Sequence, residues 1–271
     1  MKIFSNFLLV AIVTATLLGS SKKDPAEEEP GKVLVPLYIK FDNVAGNEDL
    51  VLNTKQYANG SGESFSVSQL QYFVSNIKLR RTDGKEHAIK QDDSYFLVQE
   101  NNPATHLLKL KVPAGDYKQL TFVLGVDSLR NTMNISRRTG VLDPASSMDN
   151  GMYWSWNSGY IFFKMDGESP AAPADPTASH KFRYHIGGFG GYSAPTINNI
   201  KTITLDLAKY GIVKPRTSKK ATIAVRADIL KAFNATTNIS IATHSSVMFS
   251  EFSVNIANNY SKMFTHHRTE N

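Results

Sequence analysis

Phe65-Ser66-Val67-Ser68-Gln69-Leu70-Gln71-Tyr72-Phe73-Val74-Ser75-Asn76-Ile77-Lys78-Leu79-Arg80 is the stretch that decides the fold. Tyr72, Val74 and Asn76 alternate with Phe73, Ser75, Ile77 and Leu79, the two-residue period of an extended strand. Thr82-Asp83-Gly84-Lys85 then gives a hairpin turn signal and returns the chain into residues 86–90. Outward from this hairpin the pattern recurs in short units. Residues 33–41 read as a strand, placed at a sheet edge by Pro36. Residues 95–98, 107–112, 117–126, 152–165, 181–186, 200–207, 222–227 and 239–243 read as further strands. Residues 127–151 form a polar loop longer than a passive connection, and 166–179 a surface loop rich in Pro, Ala, Asp and Ser. Residues 228–233 read as one helical turn. Phe252, Ile256, Tyr260 and Phe264 recur every four residues, the spacing of one helix face.

Short strands joined by turns, with no strand–helix alternation, predict an all-β chain. The expected architecture is a single antiparallel β-sandwich, immunoglobulin-like, with long loops and a short C-terminal helix, over residues 32–266.

The 271 residues are 41% hydrophobic and 20% charged, enough for one large core. There is no cysteine, which removes disulfide scaffolds, zinc ribbons, iron–sulfur clusters and thiol catalysis together. Lys and Arg number 30 against 24 Asp and Glu, for a net charge of +6. The basic residues are scattered rather than clustered, so no nucleic-acid footprint is read.

Met1-Lys2 makes a positive start, Ile3 to Leu18 is almost wholly apolar, and Gly19-Ser20-Ser21 ends the run. This is the layout of a secretory signal peptide over 1–21, too short for a membrane span. Leu17-Leu18-Gly19-Ser20 resembles a bacterial lipoprotein signal with Ser20 where the lipidated cysteine belongs. Residues 22–31, charged and carrying Pro25, Pro30 and Gly31, read as a flexible linker. The expected location is outside the cytoplasm, periplasmic or outer-membrane associated, with membrane contact only through such an anchor.

Both tryptophans lie in Gly151-Met152-Tyr153-Trp154-Ser155-Trp156-Asn157-Ser158-Gly159-Tyr160-Ile161-Phe162-Phe163. If the run is extended, Met152, Trp154 and Trp156 share one side, the two indoles ~7 Å apart. Such a pair suits core packing, a sugar platform or a redox-active site. In Phe182-Arg183-Tyr184-His185-Ile186-Gly187-Gly188-Phe189-Gly190-Gly191, His185 lies opposite the apolar Phe182, Tyr184 and Ile186. It faces away from the core as the chain enters a glycine loop. No Lys-Ser/Thr pair and no helix follows, so this is not a nucleotide loop. Glycines here let the backbone turn at positive φ and pass close to something bulky.

His87, His106, His180, His244, His266 and His267 complete the histidines, and no two have the spacing of a preformed ligand pair. Any metal site must be assembled by the fold, from imidazole and from thioethers such as Met148, Met152, Met165, Met248 and Met263. No Gly-x-Ser-x-Gly elbow is present, and Asp149, Asp166 and Glu168 are read on loops, so no enzyme is expected.

Four motifs now stand in order. They are Tyr72-Phe73-Val74-Ser75-Asn76-Ile77-Lys78-Leu79 with Asp83-Gly84, Pro113-Ala114-Gly115-x-Tyr117 through Phe122-x-Leu124-Gly125-Val126, Met152 to Tyr160, and Phe182 to Gly187. Over about residues 33–265 this series resembles the MbnP-like family, periplasmic or lipid-anchored copper-binding proteins of methanobactin-type operons. The resemblance implies a β-sandwich that binds copper through histidines and through a tryptophan oxidised to kynurenine. It also implies a partner, a di-haem cytochrome c peroxidase-like protein that performs the oxidation. Carried over by residue, Trp154 and Trp156 match the Trp-x-Trp motif and His185 the histidine of the Phe-x-x-His-x-Gly strand. The chain departs from the family in two places. Arg130-Asn131-Thr132 stands where methanotroph members carry a histidine after an asparagine, and residues 188–192 lack their cysteine pair. His244 or His106 is then the candidate for the missing ligand. Kynurenine would offer an aromatic amine and a ketone oxygen, and imidazole suits copper in either oxidation state. The expected function is therefore exported, non-enzymatic copper binding. The alternative is a carbohydrate- or surface-binding module with Trp154, Trp156 and Tyr160 as a stacking platform.

Overall fold

The computed structural model describes residues 33–149, 151–154, 159–217 and 219–271. The expected signal peptide with Ser20 and the linker to residue 31 lie outside these residues, as does Trp156. Residues Val33–Asn271 form one compact unit.

Its strands are β1 (Leu34–Ala45), β2 (Glu48–Asp49), β3 (Tyr57–Ala58), β4 (Ser64–Arg81), β5 (Glu86–Ala88), β6 (Tyr95–Gln99), β7 (Leu107–Pro113) and β8 (Tyr117–Leu124). They continue as β9 (Tyr153–Trp154), β10 (Gly159–Glu168), β11 (Lys181–Gly187), β12 (Lys201–Asp206), β13 (Ala221–Asp228), β14 (Ser246–Val247) and β15 (Phe264–Glu270). The α-helices are short: α1 (Ser128–Thr132), α2 (Pro144–Asp149), α3 (Lys231–Asn234) and α4 (Ser253–Tyr260). The smaller sheet runs β15-β13-β1-β2, with β7 also on β1, and the larger runs β12-β8-β4-β10-β11-β14. In the larger sheet β3, β5 and β6 also pair with β4, and β9 pairs with β10. Pairing is antiparallel except for β1 with β13 and β11 with β14, which are parallel. The all-β fold expected from the alternation is present. Among the described residues no helix is long and apolar enough to cross a membrane.

Alternation builds the core directly. Leu37, Ile39 and Phe41 of β1 face Leu120, Phe122 and Leu124 of β8, all buried, while their sequence neighbours point outward. Phe41 and Phe264 from the smaller sheet meet Tyr72 and Phe122 from the larger one edge-on, with ring centroids 5.2–6.0 Å apart. A second cluster lies on the opposite side of the larger sheet, where Phe73, Val126, Leu142, Met152, Tyr160 and Phe162 are all buried. The larger sheet is thus apolar on both faces at β4 and β10, which is why those strands read as nearly continuous hydrophobic runs.

Four sequence expectations change. Pro36 does not mark an edge: β1 lies between β7 and β13, and Pro36 precedes the β13 ladder, which begins at Leu37. The run from 152 to 165 is a hairpin rather than one strand, because Trp154 pairs with Gly159 and Tyr153 with Tyr160. The helix carrying Phe252, Ile256 and Tyr260 ends at Tyr260, and Phe264 opens β15 instead. Residues 239–243 form no strand. Ile239 and Ile241 are buried there in a loop held by Glu63, which accepts from Ser240 Oγ (2.7 Å), Ile241 N (2.6 Å) and Ala242 N (3.0 Å).

Candidate functional site

The polar loop after β8 folds down over the second cluster and is built from its inside. Asp127 caps α1 by accepting from Arg130 N at 3.0 Å. Its other carboxylate oxygen accepts from Tyr95 Oη at 2.5 Å; burial first, and this carboxylate second, push the phenol up to about 12. Arg130 is buried: Nη1 donates to the Arg137 carbonyl at 2.6 Å, Nη2 pairs with Asp92, and the guanidinium lies 4.8 Å from the Tyr95 ring centroid. Asn131 Nδ2 donates to the Val126 carbonyl at 2.6 Å, while its Oδ1 accepts from Tyr160 N at 3.2 Å. Arg130 and Asn131 therefore hold the loop onto the sheet.

Trp154 closes this region. It is 8% exposed and meets Phe249 edge-on at 6.4 Å. On β11 a β carbon at Gly187 would fall 2.6 Å from the indole and 2.5 Å from the Tyr160 carbonyl oxygen. The glycine of Phe182-x-x-His185-x-Gly187 is therefore the seat of the tryptophan from the preceding motif, the bulky neighbour expected of the glycine loop. Tyr160 is wholly buried, its hydroxyl bonded to the Leu142 carbonyl, and burial pushes the phenol up to about 12. Of the stacking platform expected of Trp154, Trp156 and Tyr160, Tyr160 is thus buried in the core, and Trp154 is reached only from the cavity described below. Trp156 lies outside the described residues.

His185 sits two residues before Gly187, so both project to the same side of β11, about 7 Å apart along the strand. Trp154 lies over that side. His185 is mostly buried and its Nε2 donates to Asp166 Oδ1 at 2.7 Å. Lys164 Nζ stands 4.0 Å from Asp166 Oδ2. Asp166 and Glu168 lie on a strand rather than on the expected loop, because β10 extends to Glu168 and the outward alternation Lys164-x-Asp166-x-Glu168 continues past Met165. That alternation was the signal available for Asp166, which sequence reading missed as the partner of His185. Met248, the residue after β14, is exposed.

The other two candidate ligands are elsewhere. His106 Nε2 donates to the Gln99 carbonyl at 2.9 Å and lies 3.7 Å from Glu100. His244 stacks on Phe252, centroids 3.5 Å apart. Among the described residues no three His, Cys, Asp or Glu side chains gather to hold a metal. The fold therefore does not bring His185, His244 and His106 to one centre. Met152, Met165 and Met263 are core residues.

Beside Trp154 lies a cavity of about 790 Å³, walled by residues of the α1 loop, by Gly188 to Tyr192, and by Thr196 and Phe249.

Comparison with known proteins bears on the fold and the family. MbnP from Methylosinus trichosporium is similar in structure, with a TM-score of 0.53 over 80% of this chain and 82% of that one, at 18% identity. At that identity the likeness concerns the fold. No curated protein matches. The family model described as MbnP matches residues 35–249, from β1 through Phe249 against Trp154, and the chain belongs to the MbnP family.

Proposed function

We propose that this MbnP-family chain is an exported, non-enzymatic metal-handling protein whose metal is copper, bound on the side of β11 that carries His185 and faces Trp154. The observation that supports this reading most is the seating of Trp154 on Gly187, two residues from His185 on the same side of one strand. An imidazole suits copper in either oxidation state, and with Nε2 bonded to Asp166 it is Nδ1 of His185 that would bind the metal. Trp154 or Trp156, oxidised to kynurenine by a di-haem cytochrome c peroxidase-like partner, would supply an aromatic amine and a ketone oxygen. His185 is held in orientation by Asp166, in the manner of a ligand histidine with a carboxylate behind it. His106 and His244, engaged with Gln99 and Phe252, have no part in this proposal.

The test is copper retention by purified wild type and His185→Ala, with and without the co-expressed cytochrome, and mass spectrometry of the 150–160 peptide. Copper held by the wild type, lost in the variant, and one indole converted to kynurenine is the expected result. Equal absence of copper from both proteins, with both indoles intact, would overturn the reading.

A further inference from the structure

We infer that the cavity beside Trp154 binds a small aromatic carboxylate, with Arg138 as the anion's partner. The inference goes beyond the copper reading and needs no metal. At about 790 Å³ the cavity falls within the size of small-ligand pockets, roughly 300–1,000 Å³. The rings of Trp154, Phe189 and Phe249 and the side chains of Met133 and Ile135 supply about half of its wall, and polar groups supply the rest.

The polar groups on the wall differ in how far they are already used. Asn131 is consumed by Val126 and Tyr160, and the Thr132 hydroxyl donates to the Ser128 carbonyl at 3.0 Å. Arg138 is the exception. Its Nη1 donates to Tyr153 Oη at 3.2 Å and its guanidinium stands 5.7 Å from that ring's centroid. Its Nε is buried without a hydrogen-bond partner. Among the described residues no carboxylate pairs with Arg138, whereas Arg130, Arg216 and Arg268 each have one within 2.6 Å. The described lining holds no acidic residue, so Arg138 is its one charge. A guanidinium in a half-buried aromatic wall, with no anion beside it, favours a ligand that brings the anion. The rings require the rest of that ligand to be flat and apolar, and the volume exceeds that of a simple inorganic anion.

Metal-free protein is titrated calorimetrically with indole-3-acetate and with its uncharged isostere indole-3-acetamide. The expected result is at least tenfold tighter binding of the carboxylate, a preference abolished in Arg138→Gln and partly kept in Arg138→Lys. Thermal melting of each variant identifies one that fails to fold, and the wild-type preference must then shrink as salt rises. Equal affinity for the two probes, binding of neither by the wild type, or an undiminished preference in folded Arg138→Gln would overturn the inference. Because copper is absent throughout, failure here leaves the metal reading standing, and the reverse also holds.

Discussion

The indole of Trp154 occupies the space that a side chain on Gly187 would need, so the tryptophan hairpin and the histidine strand are fitted together at a single missing β carbon. The Tyr160 carbonyl oxygen bounds the same space from the backbone side, and it cannot rotate away as a side chain can. Gly187→Ala is therefore expected to destabilise the protein by about 1–3 kcal/mol, the range for overpacking a full site. Near-ultraviolet circular dichroism should report the displaced indole. Trp154→Ala on the Gly187→Ala background should recover only part of the loss, because the carbonyl contact remains. Chemical denaturation of the two single variants and the double variant checks this.

Arg130 ties the loop after β8 to the sheet through Arg137, Asp92 and the Tyr95 ring. Arg130→Met keeps much of the aliphatic bulk and removes the charge-assisted hydrogen bonds. A loss of about 1.5–3 kcal/mol is expected from the bond to the Arg137 carbonyl. Limited proteolysis should cut first within residues 133–141, while the β-sandwich core survives.

Glu63 clasps residues 240–242. Burial pulls its carboxyl upward, but donors from Asn59, Ala242, Ile241 and Ser240 outweigh this and hold it below 4.5. A depressed carboxyl stabilises fully above its unfolded value, near 4.5, and that contribution is lost as pH falls through the depressed folded value. Glu63→Gln should cost stability at pH 7 and show a flatter acid limb in melting temperature against pH. An acid limb identical to the wild type's would contradict this.

Glu100 behaves in the opposite sense. Burial raises its carboxyl above 4.5, more than the Asn43 donor and nearby His106 lower it. The unfolded chain then ionises first as pH rises past 4.5, and stability falls until the folded carboxyl has ionised as well. Glu100→Gln can still accept from Asn43 Nδ2, which now donates to Glu100 Oε2 at 2.8 Å. It should match the wild type near pH 4 and exceed it at pH 7. His266 adds an acid-side loss. Burial lowers its imidazole below 6.5, so stability declines as pH drops from 6.5 to the folded value, and His266→Gln should remove that slope.

The β-sandwich was legible because its inner face alternates cleanly: Leu37, Ile39 and Phe41, then Leu120, Phe122 and Leu124, leave polar or half-exposed residues between them. The tryptophan hairpin was not. Asn157-Ser158-Gly159 carried a turn signal there, but the apolar residues on both sides of it, filling both phases because β10 is buried on both faces, read as one continuous strand. Pro36 misled because a proline can sit inside a sheet wherever the neighbouring ladder has not yet begun. The pairing of His185 with Asp166 was hidden for another reason. It is a diagonal contact between strands, in which Lys164 is the residue directly opposite His185, and diagonals follow from register rather than from either strand's own pattern. The role of Gly187 was half visible: the glycine announced a bulky neighbour, and only the fold could name Trp154.

The larger sheet separates two cores of unequal size, and this has a consequence for timing. The buried apolar residues described between 125 and 154, namely Val126, Leu142, Met152 and Trp154, belong to the smaller core, so this region is expected to open while the β-sandwich stays closed. Amide hydrogens there should exchange through a low-energy opening, and those of β1, β8 and β13 only through global unfolding. Access to Trp154 and its cavity is thereby set by the lifetime of a small cooperative unit. Substitutions in the β-sandwich would change how much protein is present. Substitutions in the cover would change how long a bound molecule stays.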